Sequence, residues 1–324
     1  MLLLTMRFLS FLKKNNAPNI LSNSLIELEE NIEKYGYTII NLLSEDVDEL
    51  YANESNTIYE QTKKMEDFNG FLSVGRINNI ALRNESKAIN IKYLFNAVND
   101  FFENKYDVIT GMHLFKKTGK NGILNPHQDS SLTDENKYNS YFLWYPINGS
   151  DTDDGTIEII PYSHKLQISQ RSLNIHWTLM DYEKKLWKLM QKVILKKGQA
   201  VIIHSRTIHG SGINKNRAIR MASNIFLKPK EAPFLHYYSA QPNDENIEVF
   251  EVDEAFYSDK NILEKPVGYK LYKMEKNKNE VFHSFKEIEA LKLEEGEELK
   301  LIERKKLFND RLKIISAIEY LVSV

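Results

Sequence analysis

The sequence predicts a mainly β protein with helices packed outside it, and three observations carry that prediction. From Asp107 to Leu227, short apolar or alternating runs follow one another between turn residues, the pattern of antiparallel strands. Ahead of them lie stretches with apolar residues at helical spacing. Beyond about Lys270 the chain turns Lys- and Glu-rich, with Leu307, Phe308, Leu312, Ile315 and Ile318 again at helical spacing. At 324 residues and 42% hydrophobic, the chain can bury a full core.

Taken in order, residues 1–20 read as an N-terminal extension. Arg7 interrupts its short apolar run and no small-residue cleavage site follows, so neither a signal peptide nor a membrane span is expected there. No other run approaches the ~18–20 apolar residues that cross a bilayer, which makes a soluble, cytoplasmic protein the expectation. From Ser22 to Lys34, Leu and Ile alternate with Glu at helical spacing; Tyr35 to Asn41 then turns β-branched and aromatic, giving helix, turn at Gly36 and strand. A second helix is expected over 86–105, with Ile91, Leu94, Phe95, Val98, Phe101 and Phe102 on one face.

Strands are expected at 108–116, 141–147, 156–160, 193–195, 200–204 and 219–227, with a short helix inserted near 179–190. Asp154-Gly155 suits a tight hairpin and Gly198-Gln199 another turn. The main domain would span 21–270, and 271–324 would form a helical extension packed on it, or alternatively a dimer contact or a lid. Two short antiparallel sheets around a pocket open at one mouth describe a double-stranded β-helix, the cupin-like jelly roll.

Composition narrows the chemistry. A formal charge of −2 without a polybasic tract provides no field to draw the protein onto nucleic acid. The chain has no cysteine, which excludes disulfides, zinc ribbons, thiol catalysis and iron–sulfur clusters and leaves His, Asp and Glu as strong metal ligands.

Among those, His127 and Asp129 stand two residues apart in Asn125-Pro-His-Gln-Asp. In an extended chain such residues share a face, so imidazole and carboxylate can converge on one ion. The third candidate is His209, where an apolar strand from Ala200 runs into the glycine-flanked turn His209-Gly-Ser-Gly. Glycines there let backbone approach a ligand closely. Two histidines and one carboxylate on one face of iron(II) leave positions open for a co-substrate and dioxygen. Arg220 lies eleven residues past His209 on a strand where Ala222, Asn224 and Phe226 share its face; its guanidinium can pair bidentately with a carboxylate. Arg217 is the competing cation, placed before the strand.

With these residues in view, the chain resembles the phytanoyl-CoA dioxygenase family of Fe(II)/2-oxoglutarate oxygenases over about 26–227. Leu28 to Asn41 is similar to the family's first helix and Gly-Tyr strand, Pro126-His-Gln-Asp to its proximal motif, and Asp154 to His164 to its Asn-Gly…Pro-Gly-Ser-His segment. Gly198 to Arg220 is similar to its Gly-Asp…His-Gly-Ser-Gly-x-Asn…Arg block. The resemblance implies that His127, Asp129 and His209 hold Fe(II), that Arg220 and the Ser211 hydroxyl bind the distal carboxylate of 2-oxoglutarate, and that Trp144 lines that pocket. It implies oxygen transfer from O2 to an unactivated C–H bond of a small molecule such as an amino acid, a natural-product intermediate or an acyl thioester. Succinate and CO2 would be the co-products, and the enzyme a monomer or homodimer. Halogenating relatives lack the carboxylate, so Asp129 favours hydroxylation. A non-enzymatic ligand- or metal-binding jelly roll is the alternative; it gives no reason for Arg220 and the Gly-Ser-Gly turn to accompany His209.

Two positions depart from the family pattern: Tyr162 replaces a glycine and Gln199 an aspartate. His113, His164 and His204 are expected to be hydrogen-bonded structural residues, and His176, His236 and His283 to be peripheral. Residues 45–90, 130–140 and the segment after Lys228 are candidate pocket walls.

Overall fold

In the computed structural model, which describes residues 16–65, 68–166, 170–216, 218–241, 244–259 and 263–277, Ser24 caps helix α1 (Leu25–Tyr35) by accepting from the Glu27 amide. Gly36 ends it at φ 84, where a Cβ would also strike His164 Nδ1 at 2.5 Å. Strand β1 (Tyr37–Asn41) follows at once, as expected. Residues 1–15 lie outside the described residues; Ala17 and Ile20 run beside the core, the Ala17 amide donating to Lys192 and the Ile20 carbonyl accepting from Ile39.

Helix α2 (Glu45–Met65) is an element that the sequence reading left unassigned. Its buried residues, Asp48, Tyr51, Ser55, Ile58 and Thr62, keep helical spacing but are too polar to read as a core stripe. After β2 (Phe71–Ser73), helix α3 (Ile80–Asn90) begins ahead of the expected start at 86, because Asn79 caps it by accepting from the Leu82 amide. A π-helical turn (Ile91–Phe95) carries it into α4 (Asn96–Phe101). Glu103 and Asn104 then adopt positive φ, which stops the helix short of 105 and starts β3 (Tyr106–Lys116) early.

The rest of the core comprises β4 (Leu124–His127), β5 (Tyr141–Pro146), β6 (Ile157–Ile159), helix α5 (Glu183–Leu186), β7 (Gln191–Lys192), β8 (Gln199–His204), β9 (His209–Ser211) and β10 (Arg220–Pro229). The larger sheet runs β1-β8-β5-β10-β3-β2 and the smaller β4-β9-β6-β7, with antiparallel pairing between neighbouring strands. This is the jelly roll that the strand pattern predicts. Alternation along the larger sheet builds two cores. Leu143 and Ile202 join Leu28, Ile32, Tyr51 and Leu94 beneath the helices, while Trp144, Val201 and Ile203 meet Ile157 and Ile159 between the sheets.

Three local expectations change. Asp154-Gly155 does not turn a hairpin: β5 pairs with β8 and β10, whereas β6 pairs with β7 and β9, so the segment crosses from one sheet to the other. Gly155 has φ 70, and a Cβ there would lie 2.8 Å from the Gly212 carbonyl oxygen, so the crossing needs a glycine. In place of a strand at 193–195 the pairing residues are Gln191 and Lys192, because three-residue β6 is soon exhausted; Val193 still donates its amide to Ile157. The helix expected near 179–190 is a 3-10 turn, Thr178–Tyr182, followed by the single turn of α5.

Beyond the core, β11 (Leu235–Tyr238), β12 (Asn246–Glu251) and β13 (Lys270–Lys276) form a third sheet, with helix α6 (Glu254–Asp259) between the last two. The tail that reads as helical from about Lys270 therefore opens as a strand, paired by β12. Residues 278–324 lie outside the described residues. Among the described residues no helix is long and apolar enough to cross a membrane.

Candidate active site

Strand pairing brings the two candidate imidazoles together. β4 and β9 are neighbours with His127 opposite His209, and the rings stand 4.4 Å apart between centroids. Asp129 lies just past the end of β4, with Oδ2 3.6 Å from His209 Nε2. One donor atom from each of His127, Asp129 and His209 falls within 4.8 Å of the others, so the structure brings the three predicted residues into one cluster.

Each imidazole is oriented by backbone. His127 Nδ1 faces the Asn125 carbonyl at 2.8 Å and His209 Nδ1 the Thr207 carbonyl at 3.0 Å; carbonyl oxygens accept only, so the ring N–H sits at Nδ1 and Nε2 is left as the lone-pair donor. Burial pushes both rings down to about 4, His209 adding to the effect on His127, so both are neutral at ordinary pH as ligands must be. Phe142 stacks on His209 at 5.3 Å. Burial pushes the Asp129 carboxyl up to about 6, although His127 and Arg171 pull it down. Its Oδ2 is buried without a hydrogen-bond partner. Two free Nε2 atoms and an orphaned carboxylate oxygen fit a divalent ion with open positions, and the nitrogen and oxygen donor set suits iron(II).

The cluster opens on a cavity of about 230 Å³. Arg220, at the start of β10, is buried, and its Nε and one terminal nitrogen have no partner within the protein. Burial brings its guanidinium down to about 10, with Asp154 opposing, so it stays charged at neutral pH. A charged donor pair left open on a cavity wall fits a carboxylate ligand. Trp144 lies one strand away, opposite Asn224, with its ring centre 5.6 Å from the Arg220 guanidinium carbon. Of the four residues expected to share a strand face, Arg220, Asn224 and Phe226 line the cavity, while Ala222 packs in the core between the sheets. Arg217 lies outside the described residues.

Ser211 also lines the cavity, but its hydroxyl oxygen accepts from Lys116 Nζ at 2.5 Å. Lys116, wholly buried at the end of β3, donates as well to the Ser211 and Gly212 carbonyls at 3.1 and 2.7 Å. Burial, with repulsion from Arg220, pushes its amine down, while Glu158 and Asp154 oppose this, and donation to three oxygens needs the protonated form. It fixes the Gly-Ser-Gly turn from behind. A Cβ on Gly210 would come within 2.7 Å of the Leu124 carbonyl oxygen, which explains glycine between His209 and Ser211.

Lys116 and Arg171 are participants that sequence reasoning missed. Arg171 is buried and donates from Nε to the Asp129 carbonyl at 2.8 Å and from a terminal nitrogen to Glu135 at 2.6 Å. It sits in a loop with no motif around it. The two departures from the family pattern find local reasons. Tyr162 adopts φ 66, the left-handed conformation for which glycine is the easy choice. Gln199 accepts from the Lys196 amide and donates to Asn41. His113, His164 and His204 are buried and hydrogen-bonded as expected. His236 is not peripheral: it is buried against Phe256, because β11 carries it under α6. His283 lies outside the described residues.

"Phytanoyl-CoA dioxygenase 1" of Oryza sativa subsp. japonica is 30% identical over 121 residues, 36% of this chain and 43% of the relative. "Phytanoyl-CoA dioxygenase domain-containing protein 1" of Danio rerio is 29% identical over 132 residues, 38% and 45% respectively. The chain thus spans less than half the length of these relatives. Among solved structures, the carbocyclase SnoK from nogalamycin biosynthesis has a TM-score of 0.49 at 16% identity, covering 65% of this chain and 88% of that one. HygX from Streptomyces hygroscopicus, with nickel and 2-oxoglutarate bound, has a TM-score of 0.45 at 13% identity, covering 63% and 87%. The family model described as Phytanoyl-CoA dioxygenase (PhyH) matches residues 30–222, more than half of the chain. The chain therefore belongs to the phytanoyl-CoA dioxygenase family of Fe(II)/2-oxoglutarate oxygenases.

Proposed function

We propose that this protein hydroxylates an unactivated C–H bond of a small molecule, with His127, Asp129 and His209 holding Fe(II) and Arg220 binding 2-oxoglutarate. The observation that carries the reading is the convergence on one cavity of two imidazoles, a carboxylate whose Oδ2 has no hydrogen-bond partner, and a buried guanidinium whose Nε and one terminal nitrogen have none.

When bound, iron and 2-oxoglutarate supply the oxidising chemistry that activates O2, with succinate and CO2 as co-products. The chain supplies placement. Backbone carbonyls fix both imidazoles through Nδ1, which leaves Nε2 of each to hold the ion, and Asp129 would supply the third protein donor. Arg220 grips the distal carboxylate in a bidentate fork beside Trp144. Ser211, whose oxygen accepts from Lys116, keeps its own proton to donate to the same carboxylate. Phe142, Trp144 and Ile157 line the cavity with apolar surface that excludes water from the reacting bond.

The test has two parts. Anaerobic protein given Fe(II) and 2-oxoglutarate should develop a weak visible charge-transfer band, and folded protein that never shows it would refute the reading. Succinate release across a panel of metabolites should identify the substrate, and Asp129→Ala should abolish it without unfolding the chain.

A further inference from the structure

The same cavity carries more positive charge than its co-substrate needs. Besides Arg220, its lining includes Arg76, from the 3-10 turn Val74–Arg76, and Arg83 and Lys87, which share one face of α3 at a spacing of four residues. Lys87 is paired with Glu254 at 2.9 Å. Arg76 and Arg83 meet no carboxylate among the described residues, and Arg83 Nε is buried without a hydrogen-bond partner. Asp129 is the only acidic residue among the described lining residues. With both groups bound the reactive end would balance in charge, Fe(II) and Arg220 against Asp129 and the two carboxylates of 2-oxoglutarate. Arg76 and Arg83 are then left over on the same cavity wall. Asn224, on the Arg220 face of β10, adds a buried amide oxygen without a partner.

We propose that the substrate is a small organic anion whose carboxylate or phosphate is held by Arg83 and Arg76, with an apolar frame against Met112, Leu132 and Phe226. A cation pair on a largely apolar wall selects for charge at one end of a ligand and leaves the other end to shape. Asn224 provides an acceptor for a hydroxyl or amine on that frame. The proposal rests on the oxygenase reading for which end of the cavity is reactive.

The test uses the full chain loaded with Mn(II) and 2-oxoglutarate, titrated calorimetrically with inorganic phosphate, hexanoate and the neutral hexanamide. One of the two anions should bind saturably beside 2-oxoglutarate, at least about tenfold more tightly than hexanamide. Preference for phosphate would assign a phosphorylated substrate and preference for hexanoate a carboxylic acid. Arg83→Gln should weaken the anion by about tenfold or more while 2-oxoglutarate binding stays within about twofold. Arg76→Gln, at an exposed position, should act in the same direction and guards against misfolding of the first variant. The proposal is overturned if neither anion saturates by about 50 mM with 2-oxoglutarate bound, or if both variants bind like the wild type. Failure of manganese or 2-oxoglutarate to bind would strike the oxygenase reading instead; anion titrations of metal-free wild type and Arg83→Gln would still decide the anion site.

Discussion

Arg171 Nε donates to the backbone carbonyl of Asp129 at 2.8 Å. The same guanidinium pairs with Glu135, and both side chains are buried. Arg171→Gln would strand the Glu135 carboxylate, at a cost of about 3–5 kcal/mol in unfolding free energy. Urea denaturation should show that loss, and adding Glu135→Gln should recover part of it by removing the stranded charge. In whatever fraction stays folded, Mn(II) affinity should fall as the Asp129 loop loosens.

Gly210→Ala should weaken metal binding from a position that is not a ligand. The added methyl would meet the Leu124 carbonyl at 2.7 Å and press β4 away from β9, which separates His127 from His209. An overpacking cost of about 1–3 kcal/mol and at least about a tenfold loss of Mn(II) affinity are expected. A crystal structure with the two rings undisturbed, or unchanged affinity, would contradict this.

Arg220→Lys keeps the charge and loses the fork. The affinity for 2-oxoglutarate in metal-loaded, oxygen-free protein should drop on the order of tenfold, because one ammonium cannot reproduce two parallel N–H contacts. Mn(II) affinity measured without 2-oxoglutarate should be unaffected, since Arg220 is not among the clustered donors.

Acid should destabilise the fold partly through His113. Burial pushes this imidazole down to about 3, between Ser86 and Ser55. A histidine with a depressed folded-state value contributes its full stability above its unfolded value, near 6.5, and loses it as pH falls toward 3. Wild type should therefore lose up to about 1.4 kcal/mol per pH unit across that window relative to His113→Gln. Urea midpoints at several pH values would check it; parallel profiles would rule it out.

The metal cluster was legible because its chemistry demands particular residue types at a particular spacing, and strand parity then put Arg220 on the cavity with Asn224 and Phe226. Lys116 was not. A lysine at the end of a strand reads as solvated, and only the arrival of a turn 95 residues later buries it. Helix α2 was obscured by its own buried polar groups, since Ser55 serves His113 and Thr62 bonds its own backbone. Asp154-Gly155 was misplaced for a different reason. The dipeptide supplies the same local bend whether the flanking strands pair or part, and the choice was made by the distant partners β8, β9 and β10. Local chemistry named the three clustered residues; long-range pairing decided what surrounds them.

The register of β4 against β9 has one more consequence. His127 and His209 are 82 residues apart in sequence yet face each other across a single pair of strands. An ion gripping both fastens a long loop shut and removes freedom that the unfolded chain would otherwise regain. Iron would therefore act as a rivet in this fold as well as a reagent, and the temperature at which the protein melts should climb with the free concentration of the metal.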